Sequence, residues 1–598
     1  MAYVTAMVVT AELPLICSAA ALALVALLLS VRWKPRLSAA AAVAFALAAT
    51  IAPLAFAAAI DPARAAGRAL WEWSAAGGPT VQASYRFDGV AAVGVAVGAA
   101  YAAAGLFGAA RAARYHALLP SAVLGIGLSF FTLAVTEDLI AGTVVLGVLA
   151  SITILATPAV APLPASVRLA AYLSVGVQFF VLAALLLGRF GGPSFRFDAI
   201  APSSVSPGVV LAASIGAALC AGLYPFIPWR FRSRWRGPDL ERLRGVITMP
   251  AGVGASLLLL RLLGTTRGDV TTIPLPAIPL EWRLLVAAAA LAGLGLAAWR
   301  AGKVPVRGAI VAATAVALLA GYPALHWAHL ILIAALLSVL YAAAVSLALP
   351  DQWDVVRYDV TLAAFWVALA VGTPTALAGG LFILVADAFA ALAESVWTRP
   401  QWSFVVIIAG TAATLTGLII IGFGALAAVD AGAQGIALVA LLATALLVLV
   451  HVGRRLDVAD VPLALDALAA AAGLGITAMI GIVVAGPLYE GVTSAFGRPF
   501  TATVANAPLG FLAVTAIATL LVVIARSVRP FMPDLDPLTE RLRRVTALAD
   551  PVPAGHAAFA ALDAVISRTT AAFGVFEQRA GIWLATLLIV AVLVWSVR

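Results

Sequence analysis

Lysine is almost missing from this 598-residue sequence: Lys34 and Lys303 stand against 34 arginines. The two cysteines, Cys17 and Cys220, fall in separate apolar stretches, which excludes a disulfide framework and a thiolate metal centre. Charged residues make up 11% of the chain, too little polar surface to cover a soluble protein of this size. There is no P-loop, dinucleotide fingerprint, C-x-x-C pair or H-E-x-x-H. No metal and no cofactor (flavin, iron–sulfur cluster or haem) is therefore expected, and no catalytic residue is assigned. No cleavable signal peptide is evident, and the first apolar stretch, around residues 13–31, reads as a retained helix.

What is present is apolar. Such residues make up 64% of the sequence, in recurring runs of about 20 that are long enough to cross roughly 30 Å of hydrocarbon. Backbone polar groups in lipid must be satisfied internally, which leaves helix bundles or closed barrels. The runs lack the alternation of strands, so the fold class is an all-α polytopic membrane protein with about 18 transmembrane helices. Alanine, glycine and leucine dominate the runs, which suits close helix packing in a bilayer.

The net charge of +9 reads as topology rather than as a nucleic-acid surface, because the arginines flank helices. Loops after odd-numbered spans hold 26 of the 36 Lys and Arg residues. That asymmetry predicts a multi-pass protein of the cell membrane with odd loops in the cytoplasm and both termini outside. Residues 61–86 read as an outside loop whose Trp71, Trp73 and Tyr85 suit an interface. After Asp536-Pro537, Leu538, Leu542, Val545 and Leu548 recur at helical spacing among arginines. Residues 533–578 thus read as an amphipathic segment lying on the bilayer or along neighbouring subunits.

Five local patterns resemble the antiporter-like, proton-translocating subunits shared by respiratory complex I, hydrogenase-4-type complexes and multisubunit cation/proton antiporters. Phe87-Asp88-Gly89 opens the third span, and Tyr224-Pro225-Phe226-Ile227-Pro228-Trp229 marks a broken seventh helix. Thr248-Met249-Pro250-Ala251-Gly252-Val253 is followed by Arg261. Residues 372–394 resemble the stretch ending in H-A-x-F-K, and Thr416-Gly417-Leu418 with Gly422-Phe423 resembles the second broken helix. The patterns keep their order and spacing over residues 85–430.

The resemblance implies an inverted-repeat core with two broken helices, followed by an amphipathic surface helix and a final span. It also implies an organisation of residues 1–84 (amino-terminal helices and outside loop), 85–265 (first half) and 266–455 (second half with extra helices). Residues 456–532 would hold additional helices, 533–578 the lateral segment and 579–598 the last span. The family's central lysines and glutamates are missing. Its lysine positions fall at Cys220 and Ala391, its lysine or glutamate after G-F at Leu426, and no glutamate lies near 145–147. The family's charged D-x-K-R loop could be matched by 300–307 or by 357–359.

The candidates for a proton path are few, and a charge kept in a bilayer is a functional candidate. Asp387 and Glu394 lie seven apart and share a helix face, a spacing that a water-linked relay could use. Asp387 could equally be bonded across to a neighbouring helix. Glu137 and Asp138 read as a solvated turn, and His326 with His329 as an interfacial pair or a proton shuttle. Asp466 lies just inside the sixteenth span and Glu490 just beyond its outer end. Helix breaks are expected at Pro225 and Pro228 and at Gly422 and Gly424.

The expected function is an antiporter-like membrane subunit of a multisubunit ion-translocating or redox-driven complex. Its proton channel would be degenerate and its role structural or coupling. The expected partners are other membrane subunits, the lipid bilayer and no nucleic acid, and the basic loop from Arg230 to Arg244 offers a docking surface for a soluble cytoplasmic subunit. The alternatives are a stand-alone secondary transporter, or the membrane partner of a soluble enzyme as in inorganic-carbon uptake systems.

Overall fold

The computed structural model describes residues 68–74, 80–86, 88–112, 119–189, 194–228, 238–265, 279–301, 326–348, 353–396, 400–430, 434–455 and 508–528, with isolated positions at 316 and within 540–546. Thirteen α-helices lie among the described residues. The first six are α1 (Gly89–Ala112), α2 (Leu119–Val135), α3 (Leu139–Ala156), α4 (Leu163–Arg189), α5 (Pro207–Ala221) and α6 (Pro238–Gly264). The others are α7 (Leu280–Ala301), α8 (Trp327–Ala348), α9 (Trp353–Val371), α10 (Pro374–Val396), α11 (Pro400–Asp430), α12 (Gln434–Arg455) and α13 (Pro508–Val528). Among the described residues, six helical segments are long and apolar enough to cross a membrane.

Side chains sort by helix face. On α3, Val144, Val148 and Leu155 point outward at helical spacing, as do Leu438 and Leu442 on α12. Outward apolar rows of this kind suit lipid or a partner helix rather than water. Inside, Phe130, Phe180, Phe365, Trp366 and Phe382 are fully buried. Buried hydroxyls mostly turn back onto their own helix: Thr143, Thr153, Thr414, Thr416 and Thr444 each donate to the carbonyl four residues earlier. Two tryptophans reach across instead, Trp327 Nε1 to Ser214 Oγ at 2.6 Å and Trp366 Nε1 to Ser256 Oγ at 3.0 Å.

Helix α9 joins the early and late helices. It packs against α6 on one side and against α8, α10 and α12 on others, while α1 packs directly on α10. The structure also revises the reading of residues 61–86 as a loop. Strands β1 (Arg68–Ser74) and β2 (Thr80–Tyr85) pair as an antiparallel hairpin with an irregularity between Ala69 and Trp71. Trp71, Trp73, Val81 and Tyr85 alternate along it with the period of two that strands require.

The two expected helix breaks come out differently. Helix α5 has 15 residues, about 22 Å, too short to cross the bilayer. Gly222 ends it in the left-handed region at φ 65°, where a side chain would be strained. The chain then runs without helix through Pro225 and Pro228, with a cis Tyr224–Pro225 peptide. At Gly422 and Gly424, by contrast, there is no break: α11 is one 31-residue helix. Gly424 serves packing instead, since a Cβ there would meet the Ala376 backbone, 2.6 Å from its Cα. The Gly424 carbonyl accepts a hydrogen bond from Thr373 Oγ1 at 2.9 Å.

Candidate functional site

The first cluster forms where α1, α9 and α10 meet. Helix α10 presents Asp387 and Glu394 on one face, as their spacing of seven requires. Arg357 projects from the first turns of α9 between them. Its Nη1 lies 2.6 and 2.7 Å from the two Glu394 carboxylate oxygens, and its Nε lies 3.5 Å from Asp387 Oδ1. The Tyr101 hydroxyl donates to Asp387 Oδ2 at 2.7 Å. Arg357, Asp387 and Tyr101 are buried, and the Glu394 side chain is 13% exposed. Arg357 Nη2 donates to the Tyr358 hydroxyl at 3.2 Å.

Arg357 and Tyr101 were not among the residues the sequence singled out for a proton path. Helix α9 begins at Trp353, which takes residues 357–359 out of a loop and into the bundle. The signal that could have found Arg357 is the charged first turns of the span, where Asp354, Arg357 and Asp359 precede a run of apolar residues. A guanidinium keeps its protons at any ordinary pH, so Arg357 holds both carboxylates, offsetting one of their two charges, without passing a proton on.

A second polar region surrounds the end of α5. The Arg168 Nε donates to the Pro228 carbonyl at 2.9 Å, and the Tyr224 N–H donates to Ser338 Oγ at 2.9 Å. These bonds satisfy backbone groups that the interrupted helix leaves over. Cys220 is buried here without a charge of its own. A cavity of about 30 Å³ adjoins it, lined by polar groups from α6 and α9.

The third region lies at the hairpin end. Arg261 at the end of α6 grips Asp88 at the start of α1 through two bonds of 2.8 and 2.9 Å, and donates a third to the Ala134 carbonyl. Two of the sequence patterns thus meet as one buried ion pair across 173 residues. Glu137 and Asp138 correct the expectation of a solvated turn: they are 1% and 0% exposed. Strand β2 and residues 195–197 cover them through backbone bonds from Glu137 N to Ser84 O and from Phe197 N to Glu137 O.

The Glu137 carboxylate sits 3.6 Å from Arg86 and 3.7 Å from Arg196. Burial pushes it from 4.5 up to about 7; Asp198 adds to the rise, and Arg196, Arg86 and Arg261 oppose it. Asp138 caps α3, accepting from Ile140 N and Ala141 N at 2.8 and 2.9 Å. Burial raises its carboxyl as well, against the backbone N–H groups of Ala141, Gln82 and Ile140.

The remaining candidates do not join these clusters. His329 accepts the His326 backbone N–H at 3.1 Å on Nδ1, so the pair closes the first turn of α8. Ala391 is buried in α10, whereas Leu426 is 49% exposed, so that position on α11 faces outward. Asp466 and Glu490 lie outside the described residues, as do most of the carboxy-terminal segment and the final span. Within that segment the described positions of 540–546 are helical, with Glu540 paired to Arg543 and Arg544. Among the described residues no group of three potential metal ligands gathers.

Neither a protein-family model nor a curated protein matches the sequence. Solved structures do match the fold. A chain of the Mrp complex from Dietzia sp. DQ12-45-1b is similar with a TM-score of 0.63 at 15% identity, over 98% of this chain and 62% of that one. The protein therefore spans about three-fifths of the length of that chain. A chain of the membrane-bound sulfane sulfur reductase, an archaeal respiratory membrane complex, is similar with a TM-score of 0.58 at 13% identity, over 98% and 99%. A chain of respiratory complex I from Thermus thermophilus with bound NADH gives a TM-score of 0.46 at 15% identity, over 86% and 99%. At such identities the shared property is the fold: this is a multi-pass helical membrane protein with the antiporter-like architecture found in subunits of multisubunit membrane complexes.

Proposed function

We propose that the protein is an antiporter-like subunit of a larger ion-translocating or redox-driven membrane complex, with a structural or coupling role and a proton path closed at α9–α10. The single observation that carries this reading is the Arg357 clamp. Both carboxylates that α10 offers to a relay are held by one guanidinium, at 2.6–2.7 Å and 3.5 Å. The apolar or weakly polar residues at Cys220, Ala391 and Leu426 support it, because α5, α10 and α11 offer no lysine there to take over the relay. Likeness of fold over nearly the whole chain supports membership of an assembly. The two termini and the loops that follow odd-numbered spans are oriented as their arginines dictate, although the expected basic loop is shorter than 230–244, because α6 begins at Pro238 and Arg244 is buried in the bundle.

The test has two parts. Affinity capture of the tagged chain from native membranes should retain other membrane subunits. An isolated chain that transports ions alone in proteoliposomes would refute the subunit reading, and capture of a soluble enzyme alone would favour the carbon-uptake type of partnership. Asp387→Asn should then leave proton transport by the parent complex unchanged. A large loss of pumping with intact assembly would show that α10 still conducts.

A further inference from the structure

Three successive residues of α9 serve two different places. Residues two apart on a helix point about 200° apart. Arg357 accordingly turns to α10, while Asp359 lines the cavity beside α5 and α6. That cavity, of about 30 Å³, is bounded by Cys220, Pro228, Arg244, Thr248, Tyr358 and Asp359. It has room for about two water molecules. Its wall lies where the family resemblance puts a lysine on α5, and here α6 and α9 supply the charge instead, as Arg244 and Asp359.

The wall chemistry narrows what the cavity can do. Asp359 Oδ2 is shut off from outside solvent and has no hydrogen-bond partner among the described residues. The Thr248 hydroxyl donates to the Arg244 carbonyl at 3.0 Å, so its proton is engaged. Arg168 on α4 is bonded to the Pro228 carbonyl rather than turned to the cavity. The titratable or charged groups on the wall are thus Cys220 from α5, Arg244 from α6, and Tyr358 and Asp359 from α9. Of these, a carboxyl beside water and a fixed cation is the group suited to fast proton exchange.

We infer that Asp359 is a proton-loading site served by water in this cavity, with Arg244 balancing the ionised form. In loading, an O–H bond forms at Asp359, one breaks on a hydronium ion, and a water molecule is left; unloading is the reverse. The proton goes no further toward α10, because the next charged group on α9 is Arg357. The inference therefore goes beyond the proposed closed path: the chain binds a proton that it does not pass across.

Infrared difference spectroscopy on the purified full-length chain in lipid nanodiscs tests this, with protons as the only ligand. Acidification should raise a protonated-carboxyl C=O band that shifts in D₂O. Glu137 contributes a component of its own to this band, so the component assigned to Asp359 should be lost in Asp359→Asn and persist in both Glu137→Gln and Asp387→Asn. Arg244→Gln should move its midpoint to higher pH, and this variant keeps the test open if Asp359→Asn does not fold. A band unchanged by Asp359→Asn, a band that does not shift in D₂O, or a midpoint unmoved by Arg244→Gln would each overturn the assignment. Affinity capture is unaffected by any of these results, so the proton site can fall while the subunit reading stands, and the reverse.

Discussion

Replacing Arg357 with methionine keeps most of the side chain's volume and removes its charge. The consequence can be worked from the geometry. Charge centres at about 4 Å attract by about 4 kcal/mol at an effective dielectric of about 20. Arg357 makes such contacts with two carboxylates, Glu394 at 2.6 and 2.7 Å and Asp387 at 3.5 Å. Desolvation offsets much of that gain, several kcal/mol per ion, so the intact cluster adds little net stability. Removing the arginine alone is different. Asp387 remains buried, Glu394 remains largely buried, and the two now repel each other. The expected loss is about 3–5 kcal/mol, the range for breaking one side of a buried ion pair. Denaturant titration of the full-length chain in detergent micelles measures it. The triple variant Arg357→Met, Asp387→Asn, Glu394→Gln should recover most of the loss, because the three charges of the cluster are removed together and the amide oxygen introduced by Asp387→Asn can still accept from the Tyr101 hydroxyl. A cost below about 1 kcal/mol for Arg357→Met, typical of exposed pairs, would refute the buried clamp.

Two further outcomes follow from packing and from pH. Gly424→Ala should lose about 1–3 kcal/mol, because its Cβ would meet the Ala376 backbone in a tight interface. The control Gly295→Ala has nothing within 4 Å and should gain up to about 1 kcal/mol from helix propensity; equal effects at both positions would contradict the helix contact. Glu137 has its carboxyl raised from 4.5 to about 7, so the folded chain holds a proton there that the unfolded chain releases. Its contribution to stability is complete below about pH 4.5 and is lost as the pH rises through about 7. Glu137→Gln should therefore flatten the stability profile in that window, and an unchanged slope would show that another group sets it.

The helices were legible wherever an apolar run is bounded by proline, glycine or charge. Helix α1 begins at the Gly89 of the Phe87-Asp88-Gly89 pattern that marks the opening of a span, and the apolar runs that start at Leu139 and Pro508 begin as helices there. The long-range partners were not legible. Asp88 and Arg261 each stood in a pattern of their own, but no local rule says that they meet. Glu137 and Asp138 look like a turn because what covers them, Ser84 and Phe197, lies some 50–60 residues away along the chain. Gly422 and Gly424 misled for a related reason: glycine marks a break and a close approach alike, and only the neighbour, Ala376, tells them apart. Arg357 was hidden because residues 357–359 could be matched to a charged loop, whereas α9 starts at Trp353 and takes them in.

The buried charges also set a timetable for biogenesis. A helix whose hydroxyls bond its own carbonyls can enter the bilayer with those groups already satisfied. Asp88 cannot, for its counterion is 173 residues further on and emerges from the ribosome only with the end of α6. Arg357 and Glu394 are 37 residues apart on adjacent helices, so this ion pair can form as soon as α10 follows α9. Tyr101, 286 residues before Asp387, then waits for that pair to dock. Closure of Asp88 on Arg261 thus marks α1 to α6 as complete, before the α9–α10 hairpin exists to be received.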